Sequence, residues 1–332
     1  MTTPIVNVIH ENDAWMPPFR AAFEAEGVPL EEIDLGGGAG RDGSLSAIDL
    51  DAEPAPGIYW SRMSASAHTR GHVHAKEHTR ALLRWLESWG RRVVNGSDVL
   101  ELEVSKVAQH GLLHSHGFDV PRTTAVFGRG GLVEAARAFE PPFITKHNQG
   151  GKGLGVRRFD SHADFDAYVA GEDFEEPVDG ITLVQEYLTA REPFITRAEF
   201  VGGRFVYAVR VDTSAGSFEL CPADACAVSG DDAVEPFALR PEIDAEHPLV
   251  RRYEALLAEA GIEIAGIEFI ETVDGRTVTY DVNTNTNYNP DVEAVSPVSG
   301  PRSIARFLGG LAAEEAGDAS NTAAAAGAFS RA

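Results

Sequence analysis

The most constraining stretch of the chain is a pair of segments, 262–273 and 276–285, joined by Asp274–Gly275. An Asp-Gly pair between two β-patterned segments specifies a two-residue hairpin, because both central residues tolerate positive φ. Counting back from a Val273–Arg276 pair sets Glu268 opposite Asp281, with Cβ atoms about 4.5–5.5 Å apart. Asn283 lies on the same face, about 7 Å further along the strand. Like charges directly opposed destabilise a sheet, and a bound dication reverses that sign. Two carboxylates and an amide oxygen are hard ligands suited to Mg²⁺ or Mn²⁺. Magnesium usually keeps substrate phosphates in its shell, so Glu268, Asp281 and Asn283 predict a phosphate-bearing ligand. A solvated polar face is the bland alternative, and a one-residue slip would part the carboxylates. Val278, Tyr280 and Val282, on the other face, suit a core.

Elsewhere helical and extended patterns alternate, which gives an α/β (α+β) chain. Residues 4–10, 31–35 and 57–60 read as strands and 19–25 as a helix. Leu82, Leu83, Trp85, Leu86 and Trp89 supply the apolar face of a helix over 69–89. A second long helix is expected over 97–116, stopped by Gly117. Further helices are expected over 132–139, 164–169 and 248–260, and strands over 143–148 and 181–188. Gly202–Gly203 marks another hairpin. The Ala/Glu/Ser-rich stretch from Ala312 is expected to be a disordered tail.

A formal net charge of −23 argues against nucleic acid as a partner, because phosphate backbones need a basic face. No signal peptide or membrane-spanning apolar run is visible, so a cytoplasmic protein without a membrane partner is expected. Cys221 and Cys226 do not make a disulfide framework. The glycine-rich stretch 36–40 lacks the order of a dinucleotide fingerprint and reads as a surface loop.

A polyanion on so acidic a chain needs local positive charge. Lys146 ends a strand and is followed by Gly150, Gly151, Lys152, Gly153 and Gly155. Glycines let the backbone approach a phosphate and offer it N–H groups. No Gly-Lys-Ser/Thr opens a helix there, so a β-loop-β lid fits better than a Walker loop. Lys106, on the 97–116 helix, is a second candidate. In two-residue register, the Gly202–Gly203 hairpin puts Arg197, Glu199 and Arg210 on one face. An arginine there would stabilise charge on a transferred phosphoryl group, the alternative being a surface ion pair of Arg197 with Glu199.

The order Lys106, then 143–146 with its glycine loop, then 184–188, then Glu268 with Asp281 and Asn283 resembles the ATP-grasp superfamily. Within it the chain is similar to RimK/LysX-type carboxylate–amine ligases, from about Tyr59 to Asp291. The resemblance implies an ATP-grasp fold with a pre-ATP-grasp α/β domain (1–96), a central subdomain bearing the lid (97–185), a C-terminal antiparallel-sheet subdomain with the metal site (186–311) and the tail (312–332). It implies ATP and Mg²⁺ or Mn²⁺ as cofactors. Lys106, Lys146 and the lid glycines with Lys152 would meet phosphates. Gln185, Glu186, Tyr187 and Leu188 would form the adenine hinge, with Arg210 as the transition-state arginine. Arg62, Arg197 and Asn285 are substrate-side candidates. The implied partners are a small-molecule or peptide carboxylate and an amine, joined through an acyl phosphate with release of ADP and phosphate, and a homo-oligomer is possible.

Three positions depart from the family pattern. Ile195 stands where an acidic ribose-binding residue is usual, 283–289 replaces the Asn-x-x-Pro-Gly ending, and 217–226 does not match the acceptor-side loop. A small-molecule kinase and a non-catalytic ATP-binding module are the alternative functions. His74–Ala75–Lys76–Glu77–His78 also satisfies an inverted zinc-protease pattern, with His72 near.

Overall fold

The computed structural model describes residues 5–36, 45–151, 153, 155–214 and 236–329, with side chains up to 317. Lys152, Cys221, Cys226 and most of the 36–40 loop lie outside the described residues. The first sheet is parallel, in the order β2-β1-β3-β4, from β1 (Val6–His10), β2 (Leu30–Asp34), β3 (Ile58–Ser61) and β4 (Val93–Val94). Parallel sheets need cover on both faces. Val6, Val8 and Trp60 pack against Phe19 and Phe23 of α1 (Pro17–Glu26). Ile9 and Tyr59, pointing the other way, meet Leu83 and Leu86 of α2 (Ala75–Ser88).

Two short helices follow, α3 (Ser97–Glu103) and α4 (Lys106–Ser115). The second sheet is antiparallel, in the order β5-β8-β6-β7, from β5 (Thr123–Phe127), β6 (Phe143–His147), β7 (Arg157–Phe159) and β8 (Ile181–Glu186). Helices α5 (Leu132–Ala136) and α6 (His162–Ala170) cover it through Phe143, Phe159 and Phe165. The third sheet is antiparallel, in the order β11-β10-β9-β12-β13. Its strands are β9 (Phe194–Val201), β10 (Arg204–Asp212), β11 (Phe237–Leu239), β12 (Ile264–Glu271) and β13 (Thr277–Asn283). Helix α7 (Pro248–Ala260) packs Tyr253, Leu256 and Leu257 on it. Helices α8 (Pro290–Val295) and α9 (Gly300–Phe329) end the described chain. No helix among the described residues is long and apolar enough to cross a membrane.

Four expectations change. The 97–116 helix breaks in two because Ser105 caps α4, its hydroxyl accepting from Ala108 N at 3.2 Å. The 69–89 helix starts only at Ala75, after Gly71 takes a left-handed conformation. Residues 312–329 of the expected tail belong instead to α9, where alanine is the strongest helix former. The Gly202–Gly203 turn forms, but a bulge at Val206 shifts the pairs beyond it, so that Val209 faces Arg197 and Arg210 faces Thr196.

The metal-candidate hairpin holds for an unexpected reason. Its turn spans three residues, with Thr272 N donating to the Arg276 carbonyl at 2.9 Å. That moves the register by one residue near the turn, pairing Phe269 with Thr279. A bulge at Tyr280 moves it back, and Glu268 faces Asp281.

Candidate functional site

A cavity of about 310 Å³ opens where the three sheets meet. The third sheet contributes Glu268, Asp281, Asn283 and Arg197, the second Lys146 and Gln185, and the glycine loop between β6 and β7 Gly150, Gly151 and Gly153. Lys106 enters from the first turn of α4. Tyr187 and Leu188 line one end, with Ile144, Ile195 and Ile270 as apolar neighbours. Asn285 and Asn287 also line the cavity, as do Trp15 and the run Ser64, Ala65, Ser66 that follows β3.

Each of the opposed carboxylates already holds a cationic side chain. The Lys106 ammonium hydrogen-bonds Asp281 Oδ1, and Arg197 Nη1 lies 2.9 Å from Glu268 Oε1. Asn283 Nδ2 sits 3.4 Å from the same Glu268 oxygen. Burial pushes the Asp281 carboxyl up, but Lys106, Lys146 and Arg197 more than reverse this, leaving it below the ordinary range. Glu268 ends above its ordinary value, because burial and the Asp281 charge outweigh Arg197. Burial and the neighbouring Lys106 bring the Lys146 ammonium down to about 8. A dication fits here: two oxygen-rich carboxylates share one field, and a cationic side chain stands against them. Among the described residues no group of three or more His, Cys, Asp or Glu converges on a metal position. The hairpin set brings two carboxylates and an amide. His74 and His78 have ring centroids 6.1 Å apart, and His72 Nδ1 is engaged by Glu11 Oε2 at 2.7 Å.

Neighbouring elements hold the lysines and the strand in place. Asn148, just past β6, accepts from Val107 N at 2.9 Å and from Ser105 Oγ at 3.2 Å, while its carbonyl takes Lys106 N at 3.1 Å. This ties Lys106 to the strand that carries Lys146. Gln109 on α4 pairs with the outward backbone of edge strand β13: Nε2 donates to the Val282 carbonyl at 2.9 Å, and Oε1 accepts from Val282 N at 3.2 Å. Buried Glu103 accepts from Thr284 N at 2.7 Å and Oγ1 at 2.9 Å. Sequence reasoning missed Asn148, Gln109 and Glu103. The loop after β6 meets the segment that follows β3 and helix α2 through Gln149, whose Nε2 donates to the Ala65 carbonyl at 3.3 Å and whose Oε1 accepts from Lys76 Nζ at 2.9 Å.

Three expected site residues are not brought into the cavity. Arg210 is exposed on the sheet face opposite Arg197, because of the Val206 bulge. Glu186 points away from Gln185, as strand alternation requires. It accepts from Arg122 N at 2.8 Å and pairs with Arg276 at 3.2 Å. Arg62 is buried beneath the wall, stacked 4.0 Å from the Phe19 ring centroid, and burial lowers its pKa to about 9. Its Nη2 donates to the Thr286 carbonyl at 3.0 Å and Asn287 Oδ1 at 2.9 Å. It therefore holds Asn287, which lines the cavity, without lining it itself.

No protein-family model matches the chain. It is 29% identical over 228 residues to a probable alpha-L-glutamate ligase of Xanthomonas campestris pv. campestris (strain 8004), across 66% of this chain and 69% of the relative. A RimK domain ATP-grasp protein from Sphaerobacter thermophilus DSM 20745 matches with a TM-score of 0.61 at 19% identity, covering 91% of this chain and 99% of that one. The ATP-grasp ligase PsnB, in a complex with a phosphomimetic variant of its minimal precursor, Mg and ADP, matches with a TM-score of 0.61 at 16% identity, over 93% and 98%. The two solved structures share this fold.

Proposed function

We propose that this chain is an ATP-grasp carbon–nitrogen ligase of the RimK type, one that joins a substrate carboxylate to an amine through an acyl phosphate. The observation that carries this reading is the placement of Glu268 against Asp281 in a cavity that also receives two lysines and a glycine lid. Lys106, Lys146 and the N–H groups of Gly150, Gly151 and Gly153 bind the phosphates. Lys152 belongs to the same loop. Gln185, Tyr187 and Leu188 hold adenine against Ile144 and Ile270. Glu268, Asp281 and Asn283 hold Mg²⁺ or Mn²⁺, which when bound neutralises phosphate oxygens. In this reading residues 1–96 supply the substrate-facing wall, 97–185 the lid and 186–311 the metal-bearing sheet.

The acid's carboxylate oxygen attacks the γ-phosphorus of ATP, and ADP leaves. Arg197 takes the place foreseen for Arg210. Buried beside Glu268, and kept charged because Glu199 and Glu268 outweigh the cost of burying it, it faces the transferring group. The amine then attacks the acyl carbon and phosphate leaves, so no covalent enzyme nucleophile is needed. A screen of amino acids and small peptides as paired donors and acceptors tests this, reading ADP release and product mass. Amide formation with ADP and phosphate is expected. AMP with pyrophosphate would overturn the mechanism, and a phosphorylated alcohol would make the chain a kinase.

A further inference from the structure

We propose that Thr286 and Gly266 are positioning residues for Arg197: the threonine hydroxyl fixes the plane of the guanidinium, and the glycine leaves the gap in which it lies. The catalytic value of that placement rests on the ligase reading above, and the placement itself does not. On one face of the third sheet, Glu199, Gly266 and Asn283 form a row across β9, β12 and β13, and Arg197, Glu268 and Asp281 form the next. Every place in the two rows carries a polar side chain except Gly266. Arg197 lies over that exception. A Cβ added to Gly266 would stand 2.5 Å from Arg197 Nη2, 2.6 Å from Nε and 2.7 Å from Cζ, and these are the three nearest atoms it would meet. A glycine inside a strand weakens it and often marks a close approach. Here a guanidinium makes the approach, and any larger residue would have to move it.

Hydrogen bonds then set its orientation. Arg197 Nε donates to Glu199 Oε1 at 2.6 Å and Nη2 to Thr286 Oγ1 at 2.6 Å, while Thr286 Oγ1 donates onward to Glu199 Oε2 at 2.7 Å. Arginine, glutamate and threonine thus close a ring along the Nε–Nη2 edge, and all three are buried. The group at 286 must accept from the arginine and donate to the glutamate at one atom, which a hydroxyl does. Nη1 lies outside the ring and reaches Glu268 Oε1 at 2.9 Å. Of the five N–H groups of a guanidinium, three are bonded to described residues. One on each terminal nitrogen is left for a phosphoryl oxygen in the cavity that Arg197 lines.

Thr286 is itself anchored. Its carbonyl accepts from Arg62 Nη2 at 3.0 Å, and two residues earlier Thr284 Oγ1 donates to Glu103 at 2.9 Å. It belongs to the stretch 283–289, which departs from the family pattern, so the resemblance assigns it no role. The departure at this position supplies the second wall of the arginine's cradle.

The test compares Thr286→Val, which keeps the shape and removes the hydroxyl, with Thr286→Ser, which keeps the hydroxyl, and with Gly266→Ala. In ADP release by the full chain, Thr286→Val and Gly266→Ala should lower kcat about tenfold or more with KM for ATP within about threefold, and Thr286→Ser should stay within about threefold of the parent. In an Arg197→Ala background, neither Thr286→Val nor Gly266→Ala should lower kcat by more than about twofold further. Full additivity with Arg197→Ala, or equal loss in the serine and valine variants, overturns the inference and leaves the ligase reading standing. If the parent releases no ADP with any acid and amine, the ligase reading fails, and NMR of arginine-labelled protein decides the placement. The Arg197 Nε–H signal, assigned by its loss in Arg197→Ala, should be protected from solvent exchange in the parent and in Thr286→Ser. Thr286→Val and Gly266→Ala should lose that protection, and unchanged protection in either overturns the inference.

Discussion

Replacing Gln109 by leucine should loosen the end of β13 that carries Asp281 and Asn283 without altering any proposed ligand. Val282 sits between Asp281 and Asn283 on an edge strand, so its outward N–H and carbonyl have no strand partner. Gln109, only 1% exposed, supplies both bonds and a third, to the Leu102 carbonyl at 2.9 Å. Leucine fills similar space, keeps water out and offers no polar atom. Three lost bonds are worth about 1 kcal/mol each, and each stranded backbone group adds about 1–3 kcal/mol before relaxation. Relaxation leaves a net cost of about 3–5 kcal/mol, at the upper end for a single substitution. Urea denaturation of the ligand-free chain should show that loss. Calorimetry with ADP and Mg²⁺ should show about tenfold weaker binding or more. Stability within about 1 kcal/mol of the parent, with unchanged affinity, would refute the claim that this side chain positions the metal pair.

Other outcomes follow from the same geometry. Arg197→Ala should lower kcat/KM for ADP release roughly 100-fold, and Arg210→Ala less than about threefold, because Arg210 is exposed on the far face. The reverse ranking would reinstate Arg210. Asp281→Ala should cut turnover roughly 1,000-fold with circular dichroism unchanged, and near-normal turnover would dismiss the metal assignment. Burial lowers the His110 pKa from 6.5 to about 3, so the folded chain keeps it neutral while the unfolded chain takes a proton first as pH falls. Stability is therefore whole above 6.5 and lost below it, at about 1.4 kcal/mol per pH unit until about 3. Denaturation at pH 7 and 5 should show about 2 kcal/mol less loss in His110→Gln than in the parent. Equal losses would remove this histidine from the account.

The metal-candidate pair was legible because a three-residue turn and the Tyr280 bulge displace the register in opposite senses. Bulges leave little trace in hydrophobic alternation. The uncompensated one at Val206 turned Arg210 away, and nothing in the run 204–212 announces it. Glu186 is a different case: beside an inward Gln185, simple alternation already put it outside. Gln109 and Glu103 were illegible because a polar residue on a short helix reads as solvent-facing until the strand it serves is in place. The capping of Ser105 could be read locally, but the help it gets from Asn148 arrives from a distant strand. The alternating amides of 283–287 were visible as a departure from the family.

Helix α9 has a consequence for how the molecule is made. Its Ile304, Ala305, Leu308 and Ala312 close the same core as Val6, Val8, Phe19 and Phe23. Strands β1 and β3 leave the ribosome well before α9, so the core they share with α1 stays partly open until α9 has emerged. Chains are commonly assembled from the N-terminus forward, but here an early-made sheet is sealed by a late-made helix. A stalled or truncated product ending before Ile304 would carry the proposed metal ligands on a body that has yet to close.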